Sequence, residues 1–312
     1  MRAVALSRFG GPEVLEVIER EAPEPGPGEV RVRVAAATIN PTDVGLRDGT
    51  FAERYAQLPP PWTPGMELSG EIDALGEGSD WELGQRVIAI VLPARPQGGA
   101  QAELVVVPAA SVAPAPTGAS FEEAATLPMN GLTVRYALDM LALAPGATLA
   151  VTGSAGAVGG YAVELGKREG LTIIADAAPA DEALVRGLGA DVVVPRGDLA
   201  MATAIREAYP DGVDAVIDAA LLGPPILLAV RDGGQLIAVR PFAGETERGI
   251  DIKLVLVGDY ATNQPALREL SRQAGAGELT LRLAESFAPE RAADAHRALE
   301  AGGVRGRLVI SF

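Results

Sequence analysis

Residues 149–167 read LAVTGSAGAVGGYAVELGK, and this stretch decides the fold. Apolar residues run up to Thr152, a turn with three glycines follows, and a helical pattern then begins. This order is typical of a dinucleotide-binding unit, because glycines let the backbone approach a diphosphate and the N–H groups at the helix start bind it. Ser154 stands at the first glycine position of G-x-G-x-x-G, with Gly153 one place earlier. The predicted turn comprises Gly153, Ser154, Ala155, Gly156, Ala157, Val158 and Gly159; a glycine-rich turn that binds no nucleotide is the alternative.

Strands and helices alternate around this stretch. Ser120 with Glu123 predicts a capping box where the helical pattern starts. The pattern then predicts strands at 149–152, 172–175, 192–194, 215–217, 236–239 and 254–257, and helices at 159–168, 181–188, 202–208 and 225–231. Near-continuous apolar strands alternating with helices indicate a parallel sheet covered on both faces. We therefore predict an α/β fold with a doubly wound domain at residues 119–258.

The rest of the chain predicts a second domain. Residues 1–118 alternate short β-branched runs with glycine and proline, which is typical of a β-rich lobe. Two helical stretches, 265–274 and 289–301, precede a strand-like terminus at 307–312. Because a terminal strand needs a partner, we expect residues 259–312 to return to the first lobe and complete it.

The composition excludes several kinds of function. The 312 residues are 48% apolar and carry 41 acidic against 26 basic side chains, so a net charge of −15 argues against nucleic acid and anionic membranes as partners. The absence of cysteine and the single histidine exclude disulfides, thiolate zinc sites and cysteine nucleophiles. Residues 1–10 lack an apolar core of signal-peptide length, and we expect a cytoplasmic protein.

Asp176 ends the second predicted strand, about 20 residues beyond the glycine-rich turn. An acid there accepts hydrogen bonds from an adenosine ribose and repels a 2′-phosphate, which favours NAD. The alternatives are that Asp176 caps the following turn, and that Arg196, after the third strand, binds a 2′-phosphate and favours NADP.

Motifs along the chain resemble zinc-independent medium-chain dehydrogenases/reductases of the quinone oxidoreductase (zeta-crystallin-like) family. The resemblance covers essentially the whole length, and implies a Rossmann sheet together with a GroES-like catalytic domain. The matching segments are MRAVALSRFGGPEVLEV at 1–17, NPTD at 40–43, PGMELSG at 64–70, LPMNGLT at 127–133, the glycine-rich turn, and residues 188–191, 232–236 and 304–310.

The resemblance implies hydride chemistry without a metal. In related zinc-dependent alcohol dehydrogenases the positions of Asn40 and Met66 hold metal-binding Cys and His, so no zinc is expected. Since no Lewis acid then stabilises an alkoxide, hydride transfer suits a quinone or an α,β-unsaturated carbonyl, which delocalises its own charge.

Site residues also follow from the resemblance. Asn40 is expected beside the nicotinamide and its ribose, with Thr133 near the same half of the cofactor; a turn residue before Pro41 is the alternative for Asn40. Asp43 and Glu67 are as well suited to holding loops as to catalysis. Residues expected to line the cofactor groove are Ala177, Arg196, Val239, Arg240, Phe242, Leu256 and Val257.

Two departures from the family pattern bear on mechanism and cofactor. Gly45 stands where many members carry a tyrosine, so this position offers no side-chain proton donor. Asp181 stands where NADPH-preferring relatives commonly carry a lysine. With Asp176 this favours NADH, within an NAD(P)H-dependent activity.

Aromatic residues suggest a substrate pocket. Phe51, Tyr55 and Trp62 lie between two motifs and predict a cleft between the lobes for a small, flat, apolar or aromatic electron acceptor, with Met66, Met129, Phe242 and Tyr260 as neighbours. Packing in the lobe's core is the alternative for each. Tyr55 and Tyr260 are the candidate proton donors. His296 is predicted to lie on the surface.

We therefore predict an NAD(P)H-dependent oxidoreductase that transfers a hydride to a quinone or an activated C=C bond. An enoyl-type reductase of a tailoring pathway is one alternative, and a redox-silent nucleotide-binding or sensor protein is another. The last strand of the nucleotide domain, near 251–257, predicts a homodimer by pairing with its copy.

Overall fold

The computed structural model describes residues 1–312, except for the side chain of Asp198. The chain divides into two compact units. The first, which we call the catalytic unit after the role that the sequence predicts for it, comprises residues 1–129, 261–277 and 281–312. The second, which we call the nucleotide unit for the same reason, comprises residues 130–260 and 278–280.

The catalytic unit begins with strands and three short helices. Their bounds are β1 Arg2–Ala5, β2 Glu16–Glu19, β3 Glu29–Thr38, α1 Pro41–Arg47, α2 Ala52–Tyr55, β4 Glu67–Leu75, β5 Arg86–Ile90, β6 Leu104–Pro108, β7 Val112–Pro114 and α3 Phe121–Ala125. The capping box of Ser120 and Glu123 at the start of α3 is confirmed. Segment 119–129, assigned to the nucleotide domain in the sequence prediction, packs with the catalytic unit instead, because Phe121 accepts a hydrogen bond from Ser69 Oγ through its carbonyl oxygen.

The nucleotide unit contains a parallel six-stranded sheet, which confirms the predicted α/β fold. Its elements are α4 Pro128–Leu141, whose first two residues belong to the catalytic unit, β8 Thr148–Thr152, α5 Ala157–Arg168, β9 Thr172–Ala177, α6 Glu182–Gly187, β10 Val192–Pro195, α7 Asp198–Ala208, β11 Val213–Asp218, β12 Val230–Ala238 and β13 Asp251–Leu254. The strand order is β10-β9-β8-β11-β12-β13. The order reverses beside β8, which places the topological switch point between β8 and β11.

The chain then returns to the catalytic unit, except for residues 278–280. The remaining elements are α8 Gln264–Gly275, β14 Leu283–Phe287, α9 Ala292–Ala301 and β15 Arg307–Ser311. The terminal strand β15 pairs antiparallel with β3, so it completes the first lobe's sheet. That sheet has the order β14-β15-β3-β4-β5-β7, with β6 also paired to β3, while β1 and β2 pair separately.

Three element predictions need correction. The helix predicted at 225–231 is a 3-10 helix, Pro224–Ala229, and strand β12 begins at Val230 because Val213 pairs with it. The strand predicted at 254–257 is β13, Asp251–Leu254, since its pairing to β12 ends at Leu254. Strand β14 was not predicted. Most of its residues are exposed, so the strand lacks the alternation of buried and exposed residues by which a strand is recognised. Other 3-10 helices are Pro12–Val14, Ala109–Ser111, Pro179–Asp181, Val257–Tyr260 and Pro289–Arg291.

None of the helices in the described chain combines the length and the apolar character that a bilayer crossing requires. The apolar core of each unit lies against its own sheet. In the nucleotide unit, buried residues of the sheet pack with α7 and the 3-10 helix at 224–229.

Candidate functional site

The glycine-rich turn follows β8 in the conformation that its sequence requires. Gly153 has φ +66°, in the left-handed region that favours glycine. A Cβ at Gly159 would lie 2.2 Å from the Gly153 carbonyl oxygen, so only glycine lets α5 begin this close to the turn. Gly156 is the N-cap of α5 and has no side chain to occupy the first N–H groups. No capping side chain therefore competes with an anion for those groups.

Asp176, at the end of β9, contacts this turn directly. Its Oδ1 accepts a hydrogen bond of 2.8 Å from the Ser154 N–H, and Ser154 Oγ donates to the Val151 carbonyl at 2.8 Å. The Asp176 side chain is buried, and its Oδ2 has no hydrogen-bond partner among the described residues. The carboxylate thus braces the turn, while its second oxygen fits a donor supplied by a ligand. Ribose binding by Asp176 stays a prediction.

A polar network holds the loop after β11 beside the same turn, and sequence reasoning missed it. Asp218 Oδ1 accepts from Thr152 Oγ1 at 2.7 Å and from the Leu222 N–H at 3.0 Å. Its Oδ2 accepts from the Gly223 N–H at 2.9 Å, and the Ala220 N–H donates to Thr152 Oγ1 at 2.8 Å. The sequence signal for this network was a threonine and an aspartate, each at the end of an apolar strand.

Most of the predicted cofactor residues share one edge of the nucleotide-unit sheet. Because the strands are parallel, their carboxyl ends meet at the same edge. Ala177 ends β9, Arg196 follows β10 and is exposed, Val239, Arg240 and Phe242 follow β12, and Leu256 and Val257 follow β13. Thr133 lies buried on helix α4, so the argument from the carboxyl ends of the strands does not apply to it. Phe242 also packs against the apolar core of the unit. Their contact with a cofactor stays a prediction.

In the catalytic unit, Asn40 is buried at the start of α1. Its N–H donates to Asp43 Oδ2 at 2.8 Å, and Asp43 Oδ1 accepts from the Gly65 N–H at 2.8 Å. Burial raises the pKa of Asp43 to about 7, although these two amide hydrogen bonds and the Arg307 charge oppose the rise. Asp43 therefore holds two loops together, one of the two roles expected for it.

Arg307 and Glu67 orient the Asn40 amide, a pairing that sequence reasoning did not find. The Arg307 guanidinium, through Nη2, donates to Glu67 Oε1 at 2.5 Å, Asn40 Oδ1 at 2.7 Å and Thr38 Oγ1 at 2.8 Å. Glu67 Oε2 accepts from the Met129 N–H at 2.7 Å. Charged residues inside buried strands were the signal, but β15 and β4 are too distant along the chain for spacing to pair them.

The two predicted proton donors have other contacts. Tyr55 is buried in an apolar cluster with Leu6, Val14 and Leu46, and burial raises the pKa of its phenol. The Tyr260 hydroxyl donates to the Asp139 carboxylate, and its ring stacks on Tyr136 with centroids 4.6 Å apart. Roles for Tyr55 and Tyr260 in proton transfer stay predictions, and the packing alternative describes what the structure shows for Tyr55.

The remaining aromatic candidates pack within the catalytic unit. The Phe51 ring fills the space beside Gly45, since a Cβ at Gly45 would lie 2.4 Å from it. Trp62 stacks on Phe9 with ring centroids 4.9 Å apart, and lies edge-on to Tyr55. Phe51 therefore occupies the volume that a larger side chain at position 45 would need.

The surface position predicted for His296 is wrong. Its exposed fraction is 0%, and neither ring nitrogen has a hydrogen-bond partner among the described residues. Burial, helped by the positive charge of Arg47, lowers the pKa of His296 to about 3. The prediction failed because His296 lies on the buried side of α9, whereas the charged residues that suggested exposure lie on its other faces.

The side chains of this chain that could act as metal ligands do not fit a zinc ion. The chain contains no cysteine, and its single histidine is the buried His296. Within the described part of the chain, no group of three or more His, Asp or Glu side chains is arranged to hold a metal. The amide oxygen of Asn40 is bonded to a guanidinium, a cation that would repel Zn²⁺.

Two family models match the chain. The alcohol dehydrogenase GroES-like domain matches residues 26–117, and the zinc-binding dehydrogenase matches residues 188–310.

Curated relatives match over part of their lengths. The synaptic vesicle membrane protein VAT-1 homolog of Rattus norvegicus is 35% identical, over 70% of this chain and 53% of the relative. The quinone oxidoreductase of Pseudomonas aeruginosa is 34% identical, over 61% of this chain and 57% of the relative. The trans-enoyl reductase tazE of Aspergillus terreus is 32% identical, over 70% of this chain and 78% of the relative. The chain spans about half the length of the first of these relatives.

Solved structures are similar over the whole chain. An NAD-dependent alcohol dehydrogenase has a TM-score of 0.86 and 30% identity, and covers 100% of both chains. The quinone oxidoreductase from Coxiella burnetii has a TM-score of 0.87 and 26% identity, over 100% of this chain and 99% of the other. The fold that the chain shares with these dehydrogenases and oxidoreductases implies a nicotinamide cofactor, NAD or NADP. The chain belongs to the medium-chain dehydrogenase/reductase family and has quinone oxidoreductases among its relatives.

Proposed function

We propose that this chain is an NAD(P)H-dependent oxidoreductase that reduces a quinone or an activated C=C bond without zinc. The observation that carries the proposal is the glycine-rich turn at the switch point, in a chain whose side chains do not suit a zinc site. Quinone oxidoreductases among the relatives support the electron-accepting substrate class. The trans-enoyl reductase relative supports an enoyl acceptor as the second candidate.

The N–H groups at the start of α5 would hold the diphosphate, and the turn's glycines would let the backbone approach it. When bound, NADH or NADPH supplies the hydride. The protein's own contribution is positioning and exclusion of water, which together place two reactants at contact distance. Asn40 is suited to positioning because both ends of its amide are held, by Arg307 and by Thr38.

No side chain of this site is suited to stabilising an alkoxide as zinc does, so the acceptor has to delocalise its own developing charge. A small apolar or aromatic molecule with a conjugated carbonyl meets that requirement. A quinone suits a site without a placed acid, because the anion that hydride addition forms is only weakly basic and can take its proton from water.

We also propose a preference for NADH. Asp176 and Asp181 both lie at or beyond the end of β9, where the adenosine ribose is expected to lie, and a carboxylate there repels a 2′-phosphate. The exposed Arg196 would oppose this preference. Residence in the cytoplasm and assembly as a homodimer through the edge strand β13 stay predictions.

The test combines nucleotide binding with turnover. Purified protein is titrated with NADH and NADPH by fluorescence, and oxidation of each is then followed with 1,4-benzoquinone, 9,10-phenanthrenequinone and a 2-enoyl thioester. We expect turnover with at least one acceptor, tighter binding of NADH, and no loss of activity in a chelator. Binding without turnover on any acceptor would favour the sensor alternative. Activity that vanishes with the chelator and returns with zinc would refute the metal-free mechanism.

A further inference from the structure

The catalytic unit contains a cavity that the candidate site does not use. Its volume is about 170 Å³. The residues that line it are Arg20, residues 58–62, Pro93, Arg95, Pro96 and Gly98. Asn40 and the residues that hold its amide, Arg307 and Thr38, are not among them. The cavity is therefore a separate place in the fold, and two arginines line it.

The walls of the cavity are rich in proline. Five of the lining residues are prolines, at positions 59, 60, 61, 93 and 96. Because proline has no N–H and its ring fixes φ, these walls offer no backbone donor and lose little freedom when a ligand binds. The Trp62 indole N–H is already engaged, since it donates to the Leu58 carbonyl at 2.9 Å. The walls therefore suit an apolar ligand body.

The positive charge of Arg20 has no acidic partner. Its Nη1 donates to Thr63 Oγ1 at 3.1 Å and to the Gln97 carbonyl at 3.5 Å, and its Nη2 donates to the Pro96 carbonyl at 3.3 Å. All three acceptors are neutral, and no carboxylate of the described residues forms an ion pair with Arg20. A guanidinium has five N–H donors, so Arg20 keeps donors for a ligand.

Arg95 is more deeply buried, and its charge is also unpaired. Its Nε donates to the Gly98 carbonyl at 2.9 Å and its Nη1 to the Val106 carbonyl at 2.7 Å, whereas Nη2 is buried without a hydrogen-bond partner among the described residues. Burial lowers the pKa of Arg95, and the charge of Glu29 opposes this change. Glu29 is bonded to the Gly26 N–H at 2.9 Å and forms no ion pair with Arg95. A buried cation without a counter-ion is costly, and an anion nearby reduces that cost.

We propose that this cavity binds a small carboxylate with an apolar body, and that Arg20 and Arg95 attract its charge while the prolines and Trp62 contact its body. Arg20 donates to the carboxylate, and Arg95 contributes its charge from behind the wall. A ring fits, because a cavity of about 150 Å³ in another protein accommodates benzene. The site goes beyond the proposed nucleotide reaction and does not depend on it.

The test is a calorimetric titration of the purified chain with benzoate, at low and at high potassium chloride. Benzyl alcohol keeps the ring without the charge, and inorganic phosphate keeps the charge without the ring. The variants are Arg20→Gln and Arg95→Gln. The matched control is Arg8→Gln, which removes an equal charge from an exposed arginine of the same unit that does not line the cavity. Melting temperatures show whether each variant folds.

Benzoate is expected to bind with a Kd of about 1 mM or tighter, and at least about tenfold more tightly than benzyl alcohol or phosphate. High salt should weaken it. Arg20→Gln should weaken benzoate binding about tenfold or more, because it removes a charge-assisted hydrogen bond. Arg95→Gln should weaken it about threefold or more through loss of charge, while Arg8→Gln should stay within about twofold of wild type.

No saturable binding of benzoate up to about 10 mM overturns the proposal. Benzyl alcohol or phosphate that binds as tightly as benzoate overturns it too, because the ligand would then need no charge or no apolar body. An equal loss in Arg20→Gln and Arg8→Gln would mean that only the net charge matters. If Arg20→Gln lowers the melting temperature but leaves benzoate affinity unchanged, Arg20 only holds the loop at 96–97, and the proposal is wrong. These outcomes decide the proposal even if Arg95→Gln does not fold.

Discussion

His296 predicts a contribution to the free energy of unfolding that is lost in acid. The side chain is 0% exposed, and Arg47 beside it is 2% exposed and bonded to Glu300 at 2.5 Å. A second positive charge in this cluster would be buried with no partner for it among the described residues. The variant His296→Gln keeps a polar side chain of similar size but removes the titration.

The size and sign of the effect follow from the two pKa values. In the unfolded chain the imidazole titrates near 6.5, whereas in the fold its pKa is lowered to about 3. Below pH 6.5 the unfolded chain therefore binds a proton that the folded chain does not, and the free energy of unfolding falls as the pH falls. Each tenfold change in proton affinity is worth about 1.4 kcal/mol, so the loss reaches about 2 kcal/mol at pH 5 and about 4 kcal/mol at pH 3.

Asp43 acts in the opposite direction and would hide this loss in the wild type. Its pKa in the fold is raised to about 7 from 3.8, so the folded chain binds the extra proton between these values. Stability from Asp43 therefore rises as the pH falls from 7 towards 4, by about 4 kcal/mol in all. The two groups nearly cancel, and only the difference between wild type and variant isolates His296.

The assay is urea unfolding of wild type and His296→Gln at pH 7.5 and pH 5.0. Between these two conditions the free energy of unfolding should change more favourably on acidification in the variant, by about 2 kcal/mol. A parallel measurement on Asp43→Asn should show the opposite sign. Identical pH dependence in wild type and His296→Gln would refute the argument, since it would mean that His296 takes up its proton in the fold as easily as in the unfolded chain.

Further predictions concern the nucleotide turn, the buried ion pair and cofactor choice. Gly159→Ala should weaken NADH binding at least about tenfold, measured by fluorescence titration, while Gly187→Ala, whose Cβ meets nothing within 4 Å, should not; equal effects would contradict the packing argument. Arg307→Met should lower the free energy of unfolding by about 3–5 kcal/mol in urea, with most of it regained on adding Glu67→Gln; no recovery would mean that the pair is not coupled. Asp176→Asn keeps an acceptor but removes the charge, so NADPH affinity should rise relative to NADH by about tenfold or more; an unchanged ratio would place Asp176 outside the selectivity site.

The parts of the fold that sequence reasoning predicted are those with local signals. Strand β8, the turn after it and helix α5 are contiguous, and each is marked by its own residues: an apolar run, glycines, then a helical pattern. The return of the chain to the first lobe was predictable because a terminal strand needs a partner. The helix predicted at 225–231 failed because an apolar run of that length suits a helix and a buried strand equally.

The candidate site was predicted only where one segment supplies it. Asn40 and the glycine turn stand in recognisable motifs, whereas Arg307 reaches Asn40 from a strand 267 positions later. Spacing along the chain carries no information about such a contact. The burial of His296 failed for a similar reason, because charged neighbours on α9 describe the helix's outer faces and not the face that packs inward.

The polar cluster around Asn40 has a consequence for how the chemistry can evolve in this chain. Arg307 supplies a positive charge, Glu67 balances it, and both oxygens of Glu67 are already occupied. Introducing cysteine and histidine at positions 40 and 66 would therefore place a dication next to a buried guanidinium, and would also remove the acceptor Asn40 Oδ1 from it. A zinc site would require a neutral replacement for Arg307, and that replacement would leave Glu67 buried without its counter-ion unless the zinc itself served as one. Arg307 and a catalytic zinc are thus alternative counter-ions for the buried carboxylate of Glu67. Because this chain has the ion pair, stabilisation of the developing negative charge in the proposed reduction would fall to the acceptor.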